Sequence, residues 1–500
     1  MADIVKLSLL LLVACSEPPD EGDPLGHADD SASGNDSGVD SADSADSADS
    51  ATDDSGDSAT EVISITNVSA RLHPDIESLV YVSWQQSAPA NAWVEYSFDK
   101  DVWETSPAAE ATAGSVERLV LGVPYETDLH FRVCVDTGCT EPSSIRTGDL
   151  PKGLPIPEML IAAPDLWEPT GNYLYTSINE DLGGWTSGTY WMLIFDRQGR
   201  VVWSMKNPDG DWTIYVRVSA DGRDLMWDDN TVWTFSGDAD SEVHRMKIDG
   251  TDVDTYVTPG LHHAWVDLPD GTIAWGDHVS NNEEWLEEMA PDGTVSTVWK
   301  CSDFEIEIFG DTGHGCHSNS WWWHEKSDSY LVSFPSSAGD VKDTVLHLDR
   351  DGTTLTTWGA LGDWTFDPVE STFDYQHGVT FTDAGTLLVS TKLTDLNPYY
   401  DPRLDTLAAR EYELDYKTKT LHQIWSFGED QGIAGVTAGE AHRLPNGNTL
   451  HNYGSGARTR EITPDGELVW DVKWSGGDSE GRGRLQGRSI FLENLYDFAP

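Results

Sequence analysis

Three histidines, His263, His317 and His377, stand at matching distances from a recurring turn, and they are the chain's clearest chemical signal. His263 lies eight residues before Gly271 and His377 eight before Gly385, each glycine closing a tight turn, Pro269-Asp270-Gly271 and Asp383-Ala384-Gly385. His317 precedes Trp321-Trp322-Trp323 and a longer turn at Lys326-Ser327-Asp328-Ser329, and allowing for that length puts it in the same register. His262, His442 and His451 lie close to the same zone. A lone histidine on a strand is more often a satisfied structural side chain, but three in one register are harder to explain that way. Convergent imidazoles can bind a transition metal or share nucleophilic and acid–base work. Asp277 and His278 are near in sequence, yet no HExxH or similar local spacing is present, so the metal reading is set second.

The elements that would position these residues are repeated hairpins. A turn followed by a strand that often ends in Trp recurs six times at irregular spacing: around Gly199, Gly250, Gly293 and Gly352, at Asp415-Tyr416-Lys417, and around Gly466. A second turn type interleaves with it at Gly222, Gly271, Gly385 and Gly447. Two hairpins per repeat suit a four-stranded blade, so residues 151–500 read as a six-bladed β-propeller. The 22 Trp, 45 Gly and 24 Pro agree with many short strands joined by tight turns, and no segment shows sustained helical periodicity. Innermost strands of a propeller line its central channel, where the three imidazoles would converge.

The rest of the chain suggests export. Lys6 precedes an apolar run, Leu7 to Ala14, that is too short to span a bilayer. It ends in Leu12-Val13-Ala14-Cys15, which resembles the bacterial lipobox; residues 1–15 then form a lipoprotein signal peptide with Cys15 the lipidated first mature residue. An ordinary secretory signal cut near Ala14 is the alternative. Residues 16–60 are a linker of Asp, Ser, Gly and Ala, with SADSADSADS at its centre, expected to be disordered and extended. Residues 61–150 alternate as strands at 80–84, 92–96 and 127–133 and resemble a fibronectin type III β-sandwich, a module that usually serves as spacer or adhesion unit. The expected location is the outer membrane or cell surface, held by lipid, with the propeller in the periplasm or outside the cell. Beyond Cys15 the cysteines form two local pairs, Cys134 with Cys139 and Cys301 with Cys316, which in an exported chain suggests two disulfides. Zinc is the rival reading, but neither pair has an accompanying second CxxC. With 87 acidic against 30 basic residues and a net charge of −57, nucleic acid and anionic lipid are unfavourable partners; the membrane is met only through the anchor.

His262-His263 before Leu268-Pro269-Asp270-Gly271, His317-Ser318-Asn319-Ser320, and Tyr375-Gln376-His377 before Gly385-Thr386-Leu387 resemble the bacterial arylsulfate sulfotransferases. The similarity continues through Glu411-Tyr412-Glu413-Leu414-Asp415 and Gln423-Ile424-Trp425-Ser426-Phe427-Gly428, covering most of residues 160–475 in order. This resemblance implies an all-β six-bladed propeller that moves a sulfuryl group from a phenolic sulfate ester to a phenol acceptor, with no cofactor or nucleotide sulfate donor. It implies that His377 is transiently sulfated, that His317 binds and helps activate the sulfuryl group, and that His263 or its neighbour His262 is a third channel histidine. The family also places an arginine shortly after the second histidine, whereas the matching stretch here, Val332-Ser333-Phe334-Pro335-Ser336, has no cation. Lys392, Arg443 and Arg458 are the candidates to replace it. Two other readings follow from the residues: a non-catalytic surface module binding a glycan or protein partner, which the missing arginine favours, and a quinoprotein-type dehydrogenase, against which the irregular repeats speak.

Overall fold

The computed structural model describes residues 62–500 apart from 182–188, 209–211, 232–234, 236–239, 281, 336–339, 394–405, 436, 438 and 476–483. The lipobox with Cys15 and the acidic linker lie outside the described residues. No described helix is long and apolar enough to cross a membrane.

The chain is nearly all β. Residues 65–146 form two antiparallel sheets, one from Ile65–Leu72, Val80–Gln86 and Gly114–Val120, the other centred on Ala90–Ser97 and Asp128–Val135. Alternating residues of both sheets, among them Trp84, Val94 and Phe131, share one core. A disulfide joins Cys134 to Cys139 across a short hairpin.

From residue 157 onward the strands gather into six sheets of four or five strands. One of them runs Leu261–Asp267, Ile273–Ser280, Glu283–Met289, Val295–Lys300 in simple antiparallel succession, and its neighbours starting at Val216, Ser320, Asp374 and Glu440 repeat that order. The repeated turns explain the repetition. Gly199, Gly250, Gly293, Gly352 and Gly466 close the hairpin between third and fourth strands, and Gly222, Gly271, Gly385 and Gly447 that between first and second, all with φ between 73° and 89°. Asp and its equivalents pin these turns from the side chain: Asp196 Oδ1 accepts the N–H groups of Gln198 and Arg200, both at 2.9 Å.

The first strands of successive sheets lie side by side: Leu261–Asp267 packs on Ser320–His324, that on Asp374–Phe381, and that on Glu440–Arg443. The sixth sheet is made from both ends of the described chain. Its first strand is the late Gln486–Leu492, which pairs with Tyr173–Asn179, followed by Tyr190–Asp196 and Val201–Lys206. The early strand Pro157–Ala162 in turn extends the sheet begun by Glu440–Arg443. Two exchanges of strands between early and late sequence thus tie the sheets together.

Tryptophans fasten neighbouring sheets. Trp203, on the last strand of its sheet, is fully buried and donates from Nε1 to Ile248 O of the adjacent sheet at 2.7 Å. Trp470 donates to Arg197 O at 3.0 Å across another junction. The core around Trp203 also takes in Ile76, Leu79 and Leu121 of the N-terminal sheets, and Tyr81 donates to Asp249 at 3.0 Å, so residues 61–500 form one compact unit.

Two elements depart from the sequence reading. Thr365–Asp367 adds a parallel fifth strand to the sheet begun by Asp374. Cys301–Phe309 is an α-helix that periodicity does not reveal, because its stability is tertiary: Phe304 and Glu305 are buried, Cys301 is bonded to Cys316, and Gly310 ends it at φ 89°.

Trp203→Ala removes a buried indole and leaves Ile248 O without its donor. Thermal or urea denaturation should show a loss of about 3–5 kcal/mol.

Candidate active site

His262, His263 and His377 sit on first strands that carry the same irregularity. In Leu261–Asp267, Leu261 pairs with Asp277 but Trp265 with Trp275, so two residues bulge out between them. In Asp374–Phe381, Asp374 pairs with Lys392 and Gly378 with Ser390, an identical two-residue excess. A bulge breaks the alternation of a strand and re-aims its side chains. The second one is held by Tyr375 at φ 46°, whose N–H donates to Asp343 Oδ1 at 2.9 Å. Gly378 follows because a Cβ there would lie 2.8 Å from Glu440 Cα on the adjoining strand.

His317 is positioned differently, by a loop. The buried Glu305 carboxylate accepts the N–H of Gly313 at 2.7 Å and that of Gly315, and the Cys301–Cys316 disulfide anchors the residue before the histidine. On the other side, the buried Glu284 accepts the Ser318 N–H at 2.5 Å and the Ser318 hydroxyl, which itself accepts from Trp321 Nε1 at 2.7 Å.

These elements bring four imidazoles into ring contact. His262 has ring centroids 4.6 Å from His263, 4.7 Å from His278 and 5.0 Å from His317. His263 Nε2 and His317 Nε2 are 3.3 Å apart, so in the absence of another ligand one donates to the other. Burial lowers the pKa of His262 to about 3 and that of His317 to about 4, with neighbouring imidazoles adding to the effect. His263 is lowered well below its usual value for the same reasons.

His377 stands beside this cluster, within electrostatic reach of His263 and His317. Its Nδ1 lies 3.2 Å from Tyr375 O, which can only accept, so the proton is on Nδ1 and Nε2 carries the lone pair. Thr437 Oγ1 is 3.5 Å from that Nε2. Burial, then Lys392 and Arg488, keep the ring neutral far below its usual pKa.

Of the cations offered by the sequence, Lys392 comes to the site: it is buried opposite Asp374 with Nζ 3.6 Å from the centre of the Tyr375 ring. Arg443 does not. It ends its strand at the turn, bonded to Glu411, Gly447 O and Thr449 Oγ1 and stacked on Trp425 at 4.7 Å. Arg458 is bound to Asp471. His442 pairs with Glu440 at 2.9 Å and lies against Trp322. His451 is enclosed between sheets, with Nε2 3.0 Å from Ser390 Oγ. The stretch Val332–Pro335 is buried and holds no cation.

Arg488 is the residue that sequence reasoning missed. It lies on the closing strand Gln486–Leu492 and donates to His377 O at 2.5 Å, to Asn319 O at 3.3 Å and to Gly439 O, with Glu440 at 3.5 Å. Burial opposes ionisation of Glu440, but His442 and Arg488 outweigh it and hold the carboxylate at about 2. Flanked by Gln486, Gly487 and Ser489, it carries no apolar pattern or turn spacing that would mark it in the sequence. Arg488 also walls a cavity of about 340 Å³ with Tyr215, Arg217, Trp322, His442 and Phe491, which contains none of the three register histidines.

Residues 316–475, the segment that holds His317 and His377, match the family model described as arylsulfotransferase (ASST). No curated protein matches the chain. Among solved structures the chain is similar to a protein of unknown function from Bacteroides caccae, at 14% identity over 61% of this chain and 94% of that one, TM-score 0.39. A putative 6-phosphogluconolactonase from Bacteroides fragilis matches at 14% identity over 71% and 94%, TM-score 0.34. A streptogramin B lyase matches at 11% identity over 65% and 89%, TM-score 0.33. Likeness of this degree assigns neither fold nor function.

Two outcomes test the placement of these groups. Cys316→Ser opens the loop closed by a bond between residues 15 apart, and should lower stability by about 3 kcal/mol in chemical denaturation. For His451, burial first and Arg460 second lower the pKa from 6.5 to about 3. Between these values only the unfolded chain binds the proton, so the contribution to stability is full above pH 6.5 and is lost as pH falls toward 3. His451→Gln keeps a hydrogen-bonding side chain that cannot titrate. Urea denaturation at pH 6.5 and about pH 4.5 should show the wild type losing about 2 kcal/mol more than this variant.

Proposed function

We propose that this protein is an arylsulfate sulfotransferase-type enzyme in which the six sheets are the blades of a six-bladed propeller and His377 is the nucleophile. The observation that carries the reading is the state of His377: Nδ1 committed to Tyr375 O, Nε2 carrying the lone pair, and the ring kept neutral beside Lys392 and Arg488. The Nε2 lone pair attacks sulfur of a phenolic sulfate ester, the bond from sulfur to the aryl oxygen breaks, and phenolate leaves. An acceptor phenol then attacks the same sulfur as its proton passes to solvent, and the N–S bond breaks to restore His377. His317 and His263 face the sulfuryl oxygens, and Lys392 with Arg488 supplies the positive charge that the stretch Val332–Pro335 lacks. In the same reading the chain is exported, Cys15 carries the lipid, and the N-terminal sandwich is a fibronectin type III-like spacer.

A chromogenic aryl sulfate with a phenol acceptor tests this. The wild type should release the donor phenol and sulfate the acceptor, and His377→Ala should lose at least about 10³-fold in turnover, in line with removal of a covalent nucleophile. Mass spectrometry of the donor-treated protein should find sulfate on the peptide holding His377. Release by His377→Ala at the wild-type rate would overturn the assignment.

A further inference from the structure

We propose that His262, His263 and His317 form a binding site for one divalent transition-metal ion of the zinc type, with a coordination position left open toward His377. One ring nitrogen of each of the three histidines lies within 4.8 Å of the others. The separation of His263 Nε2 from His317 Nε2, 3.3 Å, is the edge of a tetrahedron whose metal–nitrogen bonds are about 2.0–2.1 Å. That edge makes the pair suited to an ion without further movement.

His262 provides an independent reason. It is 1% exposed, yet neither ring nitrogen has a hydrogen-bond partner, although backbone groups of Ser318, Gly276 and Gly260 lie close. A buried polar ring without a partner carries a desolvation cost that a coordinate bond removes. His278, packed against His262, likewise has a buried Nδ1 with no hydrogen-bond partner.

The surroundings also suit a metal. Glu284, wholly buried, holds an oxygen 3.9 Å from His262 Nε2 and is fixed by Ser318. Its negative charge, buried beside the cluster, favours a cation there. Gly276 makes room for this arrangement: a Cβ there would lie 2.3 Å from Trp321 Nε1 and 3.1 Å from Glu284 Oε1. Nitrogen ligands at this spacing select zinc and neighbouring late divalent ions over Mg²⁺ or Ca²⁺, which take oxygen. The ligands come from a bulged strand and from a disulfide-anchored loop 54 residues away, which is why no local sequence spacing announces them.

The site stands on this geometry alone; its role rests on the transfer reading. There the ion, held by His263 and His317, is the Lewis acid through which these histidines act on the sulfuryl oxygens, alongside the charge of Lys392 and Arg488.

The full-length protein is stripped with a chelator, loaded with Zn²⁺ or Co²⁺ in excess Mg²⁺ to occupy the acidic linker, dialysed, and assayed for metal. One equivalent is expected to remain on the wild type and on His377→Ala, with a tetrahedral Co²⁺ spectrum. His262→Ala and His317→Ala should each bind at least about 10-fold more weakly while keeping the wild-type circular dichroism. Should His262→Ala lose its fold, His263→Gln provides the same comparison. No retained metal on folded wild type, or retention unaltered in the folded ligand variants, would overturn the site. Metal-free protein that transfers sulfate at the full rate would overturn the role of the ion and leave His377 as nucleophile standing.

Discussion

Arg488 donates to the carbonyl of His377, on one first strand, and to those of Asn319 and Gly439, each directly before the first strand of another sheet, and it does so from the strand that joins late to early sequence. A buried guanidinium would be costly alone, since removing an ion from water costs several kcal/mol. Here the charge is balanced by Glu440, which stays ionised because His442 and the Ser489 N–H at 2.8 Å also face it. Carbonyls at bulges and strand ends have no ladder partner, so they would otherwise be stranded at the meeting point of the first strands. One side chain with several donors in a fixed fork satisfies three of them together. The same contact sets the backbone of His377, so assembly of the sheets and placement of the proposed nucleophile depend on a single ion.

The histidine site follows from that frame. Bulges displace two residues from each of two strands, and a loop pinned by Glu305 and the Cys301–Cys316 disulfide brings in His317. Packing imidazoles against one another in a dry space makes charging any of them unfavourable, which is the physical origin of their lowered pKa values. Neutral imidazoles are good ligands and good nucleophiles, and poor sites for bare anions. The cations Lys392 and Arg488 therefore sit on the His377 side of the cluster, where they depress its protonation without competing for its lone pair.

Turns were the most legible part of the sequence because Asp-Gly pairs demand a left-handed residue, and the glycines of both turn sets adopt it. The count of eight residues from His263 to Gly271 and from His377 to Gly385 matched because both strands carry the same two-residue bulge; with unequal bulges the register would have been lost. The bulges themselves left no trace, since they are set by contacts such as Tyr375 with Asp343 that are distant in sequence. The helix Cys301–Phe309 was hidden for a similar reason, as its order derives from a disulfide and a buried carboxylate. Arg443 is one of the cations the sequence offers in place of the missing arginine, but its strand-end position turns it to Glu411. Arg488 was invisible because it comes from the closing strand, far from the histidine repeats.

A net charge of −57 surrounds a site proposed to take an anionic ester, and the two facts are compatible only if they act at different ranges. Surface carboxylates are screened over about 8 Å at physiological ionic strength, so their repulsion weakens as salt rises. Lys392 and Arg488 are buried, where screening by mobile ions is slight and each charge acts at close quarters. Added salt thus removes the long-range opposition and spares the short-range attraction. An acidic exterior is in this sense less an obstacle to an anionic ligand than a selector of the conditions in which it binds, and the interior cations have to be buried for that selection to work.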